Sequence, residues 1–196
     1  MRIILASKSP RRKEILENLG LDFHIMSADA DETSDITDPG RLVMTLAERK
    51  GQAVVALLDE EQKKDSLVIA CDTLVYAEGE FLGKPCDRED ARRMLRLLSG
   101  RSHSVISGIY VFYADREACS FASTNVLFDS VSESDIEKYL DSGEPFDKAG
   151  AYAIQGKASV FIRGIDGDYF NVVGLPVNEL YKTLKNKFNI DINDIK

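Results

Sequence analysis

Glu32, Asp72 and Asp147 occur in a chain that also carries Lys8, Arg11, Arg12, Lys84 and Lys148 but has only two histidines, His24 and His103. Carboxylates with lysines and arginines, and few imidazoles, suit chemistry on phosphate chains. Oxygen ligands hold Mg²⁺ or Mn²⁺ against phosphates. Cations neutralise the charge that develops on transfer, and a carboxylate positions or deprotonates water. The residues alone therefore point to metal-assisted hydrolysis or transfer on a phosphoanhydride. Each also has a plainer reading. An Asp placed like Asp72 is more often a cap or turn residue, Glu32 more often part of a solvated acidic loop, Lys84 could be an ordinary turn lysine, and Asp147-Lys148 an ion pair closing a loop.

Ser7-Lys8-Ser9-Pro10-Arg11-Arg12 follows the apolar run Ile3–Ala6 and opens a helical pattern with Ile15, Leu16 and Leu19 on one face and Gly20 as the stop. Ser9 is expected to cap this helix and Pro10 to fill its first position. Such a strand–loop–helix unit offers N–H groups, a helix dipole and arginine forks to a polyphosphate. The alternative is a capped helix with solvated basic residues. Asp72 follows Leu67–Cys71, a continuous apolar run read as a central strand that Asp72-Thr73 ends. Ligands of open α/β sheets gather at such strand ends.

Elsewhere Leu21–Met26 reads as a strand. Asp38-Pro39 starts a helix with Leu42, Val43, Leu46, Ala47, Val54 and Leu58 inward and Lys50 on the edge of that stripe. Lys63–Asp65 reads as a polar turn, and Glu78-Gly79-Glu80 as a hairpin. Asp87 caps a helix ending near Gly100, and two long strands meet at Asp115-Arg116. Ser132 opens another helix. Val160–Ile162 and Tyr169–Val173 read as paired strands, Pro176 opens the last helix, and the tail from Asn189 is expected to fray.

With 196 residues, 44% of them hydrophobic, the chain suits one large domain or two small lobes. The expected class is α/β with a mixed sheet. A net charge of −8 opposes a broad nucleic-acid surface. Three cysteines with no CxxC pair oppose a disulfide framework, and a zinc site is poorly supported. No signal-peptide pattern and no membrane-length apolar run is found, so a soluble cytoplasmic protein is expected. The sequences G-x-x-x-x-G-K-[ST], G-x-G-x-x-G and G-x-S-x-G are absent.

Several short motifs occur in one order: Leu5–Arg12, Asp72-Thr73, Gly83-Lys84-Pro85, Leu98-Ser99-Gly100, Glu144–Tyr152 with Ile154-Gln155-Gly156, and Gly174-Leu175-Pro176. Together they resemble the Maf family of nucleoside triphosphate pyrophosphatases, also called septum formation inhibitor Maf proteins, over essentially the whole chain. The resemblance implies a single Maf-like domain over residues 1–196: a mixed twisted sheet with flanking helices, in two lobes around a cleft, similar to the inosine triphosphate pyrophosphatase-like (Maf/Ham1) fold. It implies hydrolysis of a nucleoside triphosphate to the monophosphate and pyrophosphate with a divalent cation, Mg²⁺ or Mn²⁺. Asp72 matches the proton acceptor, with Lys50 and Lys84 beside it in catalysis. Ser7, Ser9, Arg12 and Lys148 would line the phosphate path, and Glu32, Asp72 and Asp147 would hold the metal. A homodimer is a family expectation.

The resemblance also bears on the base. One branch resembles dTTP/UTP pyrophosphatases and carries Arg, Thr and Gln where this chain has Arg11, Thr73 and Gln155. The 7-methyl-GTP branch typically carries Trp, Gln and Glu there. A Gln amide both donates to and accepts from a uracil or thymine edge, whereas an ionised Glu only accepts. Four small departures stand out: Gly51 for Ala, Cys71 for Ala, Ser107 for Thr and Ala153 for Gly. The alternatives are the same chemistry on 7-methyl-GTP or another base, or a nucleotide-binding regulator of cell division without significant turnover.

Overall fold

A computed structural model describes residues 1–195. Seven strands join in the order β2-β1-β3-β5-β6-β7, with β4 added to β3. The strands are β1 (Arg2–Leu5), β2 (Phe23–Ile25), β3 (Ser66–Ala77), β4 (Glu80–Leu82), β5 (Ser102–Tyr113), β6 (Arg116–Phe128) and β7 (Ile162–Asp166). β1 runs parallel to β2 and β3, whereas β3/β4 and β6/β7 are antiparallel, so the sheet is mixed. The apolar runs of β1 and β3 suit parallel strands covered on both faces.

The chain forms two compact units. The first comprises residues 1–72, 107–122 and the chain from Gly174 on. The second comprises 73–106 and 123–173. Each has its own core. In the first, Ile4, Val68, Ala70, Tyr110 and Phe112 of the strands pack with Ala47 and Val54 of α2 (Pro39–Val55). In the second, Leu95 and Leu98 of α4 (Arg88–Leu98) and Ile136 and Tyr139 of α5 (Glu133–Asp141) pack with Val105, Val126, Phe128 and Phe161.

Local chemistry sets the element ends. Asp38, Asp87 and Ser132 accept from the N–H of Arg41, Asp90 and Asp135, as expected of caps. The β5–β6 turn holds Ala114 at φ +49° and Asp115 at φ +59°, the left-handed pair a two-residue hairpin demands. Ser9 occupies the cap of α1 (Pro10–Asn18), but its hydroxyl makes no capping hydrogen bond.

Several elements differ from the sequence expectation. β3 does not end at Asp72-Thr73 but runs on to Ala77, where it pairs with β4. Lys63–Asp65 is not a turn but the end of α3 (Glu60–Asp65), which a reciprocal Asp59/Gln62 capping box starts. Tyr169–Val173 is not a strand but α6. Asp168 accepts from the Phe170 N–H, and the buried Asn171 side chain donates to the Val105 carbonyl and Thr124 Oγ1. Val160 likewise lies in a 3₁₀ turn, Lys157–Phe161, ahead of β7. The final helix α7 (Val177–Thr183) continues into a π-helical turn, Leu184–Phe188. Asp191 caps a 3₁₀ turn at Ile192–Asp194 with Ile192 buried, so this part of the tail is packed. Lys196 lies outside the described residues.

Candidate functional site

The parallel pairing of β1 with the first half of β3 determines what meets just beyond the carboxyl end of β1. Leu5 is in register with Ile69, so Ser7 and Cys71 each lie two residues further on. Asp72 comes next and is buried. The loop after β1 folds around the Ser7 hydroxyl, which accepts from the Ser9 N–H at 3.2 Å and from Arg12 Nη1 at 3.1 Å. Arg12 Nε donates to the Gly174 carbonyl at 2.8 Å, and the Cys71 thiol donates to the same oxygen at 3.2 Å. A continuous path of contacts thus joins the Ser7–Arg12 loop to the residue before Asp72. Cys71, one of the small departures, is part of this path: alanine has no donor for the Gly174 carbonyl.

α2 brings the opposing charge. Lys50 Nζ meets Asp72 Oδ1 at 2.5 Å and Glu32 Oε1 at 3.0 Å. Burial alone would lower the Lys50 pKa. The charge and hydrogen bond of Asp72, reinforced by Glu32, outweigh that and hold it above the usual lysine value. The Asp72 carboxylate is 10% exposed and that of Glu32 is 64% exposed. One ammonium therefore gathers a buried carboxylate and a solvent-facing one. Gly51, another departure, lets α2 lie this close: a Cβ there would fall 2.0 Å from Tyr110 Cδ1.

The second unit holds the other expected residues. Thr73 follows Asp72 within β3 and is half-buried. Lys84 is exposed in the loop after β4. Lys148 Nζ pairs with Asp147 and lies 3.4 Å from the Glu144 carbonyl. Gln155 is exposed in the turn that Gly156 closes with its N–H on the Ala153 carbonyl, 3.2 Å away. The left-handed residues of this segment are Gly150, at φ +68°, and Ala151, at φ +60°. Ala153 is not among the left-handed residues described, so its replacement of Gly imposes no strain of that kind.

Ser7, Ser9, Arg11, Arg12, Glu32, Lys50 and Asp72 thus belong to the first unit, and Thr73, Lys84, Asp147, Lys148 and Gln155 to the second. Sequence reasoning missed the Gly174 carbonyl as the shared acceptor, because a backbone oxygen has no residue-type signature. It also missed the role of Glu144, which holds both ends of the segment containing Lys148 and Gln155. No group of three or more His, Cys, Asp or Glu side chains that could hold a metal occurs among the described residues. Glu32 and Asp72 nevertheless fit a hard cation. Mg²⁺ is commonly held by one or two carboxylates, with substrate phosphates and water completing its shell.

The Maf-like protein family matches residues 2–187. The chain belongs to the Maf family. A relative from Caldanaerobacter subterraneus subsp. tengcongensis, named dTTP/UTP pyrophosphatase, is 46% identical over 97% of this chain and 91% of its own length. Relatives of the same name from Agathobacter rectalis and Bacillus anthracis are each 44% identical over 97% of this chain, covering 99% and 97% of their own lengths. Among solved structures, the Ham1 protein of Staphylococcus aureus matches with a TM-score of 0.52 at 16% identity, over 95% of this chain and all of that one. A HAM1 protein from Coxiella burnetii matches with a TM-score of 0.50 at 13% identity, over 95% of this chain and 99% of that one. These likenesses place the Maf-family chain in the Ham1-like fold. No helix among the described residues is long and apolar enough to cross a membrane.

Proposed function

We propose that this chain hydrolyses dTTP and UTP to the nucleoside monophosphate and pyrophosphate. Relatives at 44–46% identity over nearly the whole chain carry that name, and Arg11, Thr73 and Gln155 match the pyrimidine branch that the sequence resembles. The observation that carries the chemistry is the joined set in the first unit. The Ser7–Arg12 loop, tied through Gly174 to Cys71, the β3 residue before Asp72, suits an anionic chain, and the Lys50–Asp72 pair suits proton transfer beside it.

In this reading Asp72 takes a proton from a water whose oxygen attacks the α-phosphorus. The bond from that phosphorus to the oxygen bridging to the β-phosphorus breaks, and pyrophosphate leaves. Lys50 holds the Asp72 carboxylate in place. Ser7, Ser9, Arg12, Lys84 and Lys148 hold the phosphates and offset their growing charge. Glu32 and Asp72 would hold Mg²⁺ or Mn²⁺, with Asp147 as a further ligand. The cation supplies charge neutralisation and orientation of the phosphate chain. Arg11, Thr73 and Gln155 read the base. The chain works as a single Maf-like domain. A cytoplasmic setting fits three free cysteines and a nucleotide substrate. The net charge of −8 goes against nucleic acid as a partner. A homodimer is the proposed assembly, to be tested by light scattering.

The test is pyrophosphate release from dTTP, UTP, CTP, dATP, GTP and 7-methyl-GTP, with Mg²⁺ or Mn²⁺, for the wild type and Asp72→Asn. Turnover of dTTP and UTP that the substitution abolishes supports the proposal. A preference for 7-methyl-GTP keeps the chemistry and overturns the base assignment. Tight binding without turnover makes the chain a nucleotide-binding regulator.

A further inference from the structure

Residues 144–157 form a loop that begins and ends on one side chain. Glu144 Oε1 accepts from the Tyr139 hydroxyl of α5 at 3.0 Å, and Glu144 Oε2 accepts from the Lys157 N–H at 3.0 Å. The Ser142 hydroxyl supports its backbone, accepting from the Glu144 N–H at 3.3 Å and donating to the Tyr139 carbonyl at 2.6 Å. The carboxylate lies flat against Gly156: a Cβ on that glycine would sit 2.0 Å from Glu144 Oε1 and 2.4 Å from its carboxyl carbon. Gly156 has φ −104°, which any residue adopts, so the space its missing side chain leaves is what the position requires. Tyr139 is buried and packs edge-on against Phe161, just beyond the loop's far end. One carboxylate thus fastens the loop's first residue to its last and both to a buried tyrosine of α5.

Lys148, Gln155 and Asp147 all lie inside this loop, and Gln155 is separated from the Glu144–Lys157 hydrogen bond by Gly156 alone. We infer that Glu144 is a positioning residue for base selectivity: by clamping the loop it fixes the direction of the Gln155 amide and, more distantly, of Lys148. The inference rests on the proposed roles of Gln155 and Lys148. Pyrimidine preference depends on where an amide donor and acceptor are held, because the groups that recognise one base edge must be misaligned for others. A loop tied at both ends keeps that alignment.

The test uses the full-length protein and compares kcat and KM for dTTP, UTP, CTP and dATP. Glu144→Ala removes both bonds and is expected to raise the dTTP KM about tenfold and cut the dTTP/dATP selectivity by a similar factor, with kcat within about threefold. Protection of the Lys157 amide from hydrogen exchange should fall by about the same factor. Glu144→Gln keeps the staple, because its carbonyl accepts from the Lys157 N–H and its amide donates to the Tyr139 hydroxyl, so it should stay near wild type. Tyr139→Phe removes one of the two bonds and should be intermediate, a check that remains available if Glu144→Ala folds poorly. Gly156→Ala expels the carboxylate and should reproduce Glu144→Ala, while adding little to the double variant. Gln155→Ala separates the two levels of the argument. If it loses selectivity while Glu144→Ala and Tyr139→Phe keep theirs, the staple inference is overturned and the base reading stands. If Gln155→Ala leaves selectivity unchanged, the base reading falls and the inference falls with it.

Discussion

Gly51 permits a sharp test of how the first unit holds its charged residues. A Cβ at residue 51 would lie 2.0, 2.4 and 2.9 Å from Cδ1, Cε1 and Cγ of Tyr110. Carbon atoms pack at about 3.5–4.0 Å, so ring and helix must separate by roughly 1.5 Å. The ring has little room to move: Tyr110 is fully buried among Ile4, Val68, Ala70, Ala47 and Val54. Overpacking of this kind costs about 1–3 kcal/mol. Alanine in a helix interior gains back about 1 kcal/mol over glycine. Gly51→Ala should therefore destabilise by up to about 2 kcal/mol, lowering Tm by up to about 8 °C for a chain of this size.

The sign should reverse when the ring is removed. Tyr110→Val costs about 3 kcal/mol by itself, but Gly51→Ala in that background should be neutral or stabilising by up to about 1 kcal/mol, because only the helix propensity remains. Urea unfolding of the four proteins reads the coupling directly. Lys50 adjoins Gly51 on α2, and its contact with Asp72 is only 2.5 Å long. A shift of about 1 Å at a catalytic group can cost on the order of a hundredfold in rate. Gly51→Ala should therefore slow pyrophosphate release by at least tenfold. A Gly51→Ala protein more stable than wild type, or equally destabilised in both backgrounds, refutes the steric argument. Destabilisation with unchanged turnover refutes the link to Lys50.

Other expectations follow from the same geometry. His103 is buried, its Nε2 lies 2.7 Å from the Tyr152 hydroxyl, and burial lowers its pKa from 6.5 to about 4. The folded state thus resists a proton that the unfolded chain accepts below 6.5. The stabilisation, roughly 3 kcal/mol, is complete above about pH 6.5 and is lost as pH falls toward 4. His103→Gln should flatten that step in urea midpoints measured from pH 7.5 to 4, and a step of unchanged size in the variant excludes His103 as its source. Glu32→Gln should alter stability by less than about 0.5 kcal/mol, because the carboxylate is largely exposed. It should raise the Mg²⁺ or Mn²⁺ concentration for half-maximal turnover about tenfold, and an unchanged metal titration removes Glu32 from the ligand set. Cys71→Ala deletes the thiol donor to the Gly174 carbonyl but leaves Arg12 on it. It should cost about 1 kcal/mol with KM for dTTP within about threefold, and a KM rise of tenfold or more assigns the thiol a larger part in holding the Arg12 loop.

Helix caps and the residue types of the candidate site were legible because each rests on local chemistry. Asp38, Asp87 and Ser132 announce helix starts by type and spacing alone, and Ser7 lies just beyond the carboxyl end of β1, where ligands of α/β sheets gather. The misread elements depend on partners far along the chain, or on a signal that was present and overlooked. Tyr169–Val173 has the β-branched and aromatic composition of a strand. It is helical because Asp168 caps it and because Asn171 has buried partners 47 and 66 residues away, which no local window contains. For α3 the local signal existed in Asp59 and Gln62, but the segment has no apolar stripe to reinforce it. β3 passes through Asp72 because its second half, from Thr73 to Ala77, is half-buried and pairs with β4, an alternation that a turn-forming Asp-Thr pair masked.

The same distinction applies to the site. Residue types nominated groups suited to phosphate chemistry, but not the meeting of Lys50 with Glu32 and Asp72. That convergence depends on α2 lying close to β5, and the closeness depends on Gly51 and on Gly108, where a Cβ would meet the Val43 backbone at 2.3 Å. Two residues without side chains therefore determine whether three charged ones meet. A glycine in a helix or strand is locally unfavourable, so its presence at residues 51 and 108 is explained by the packing and not by the elements that contain it.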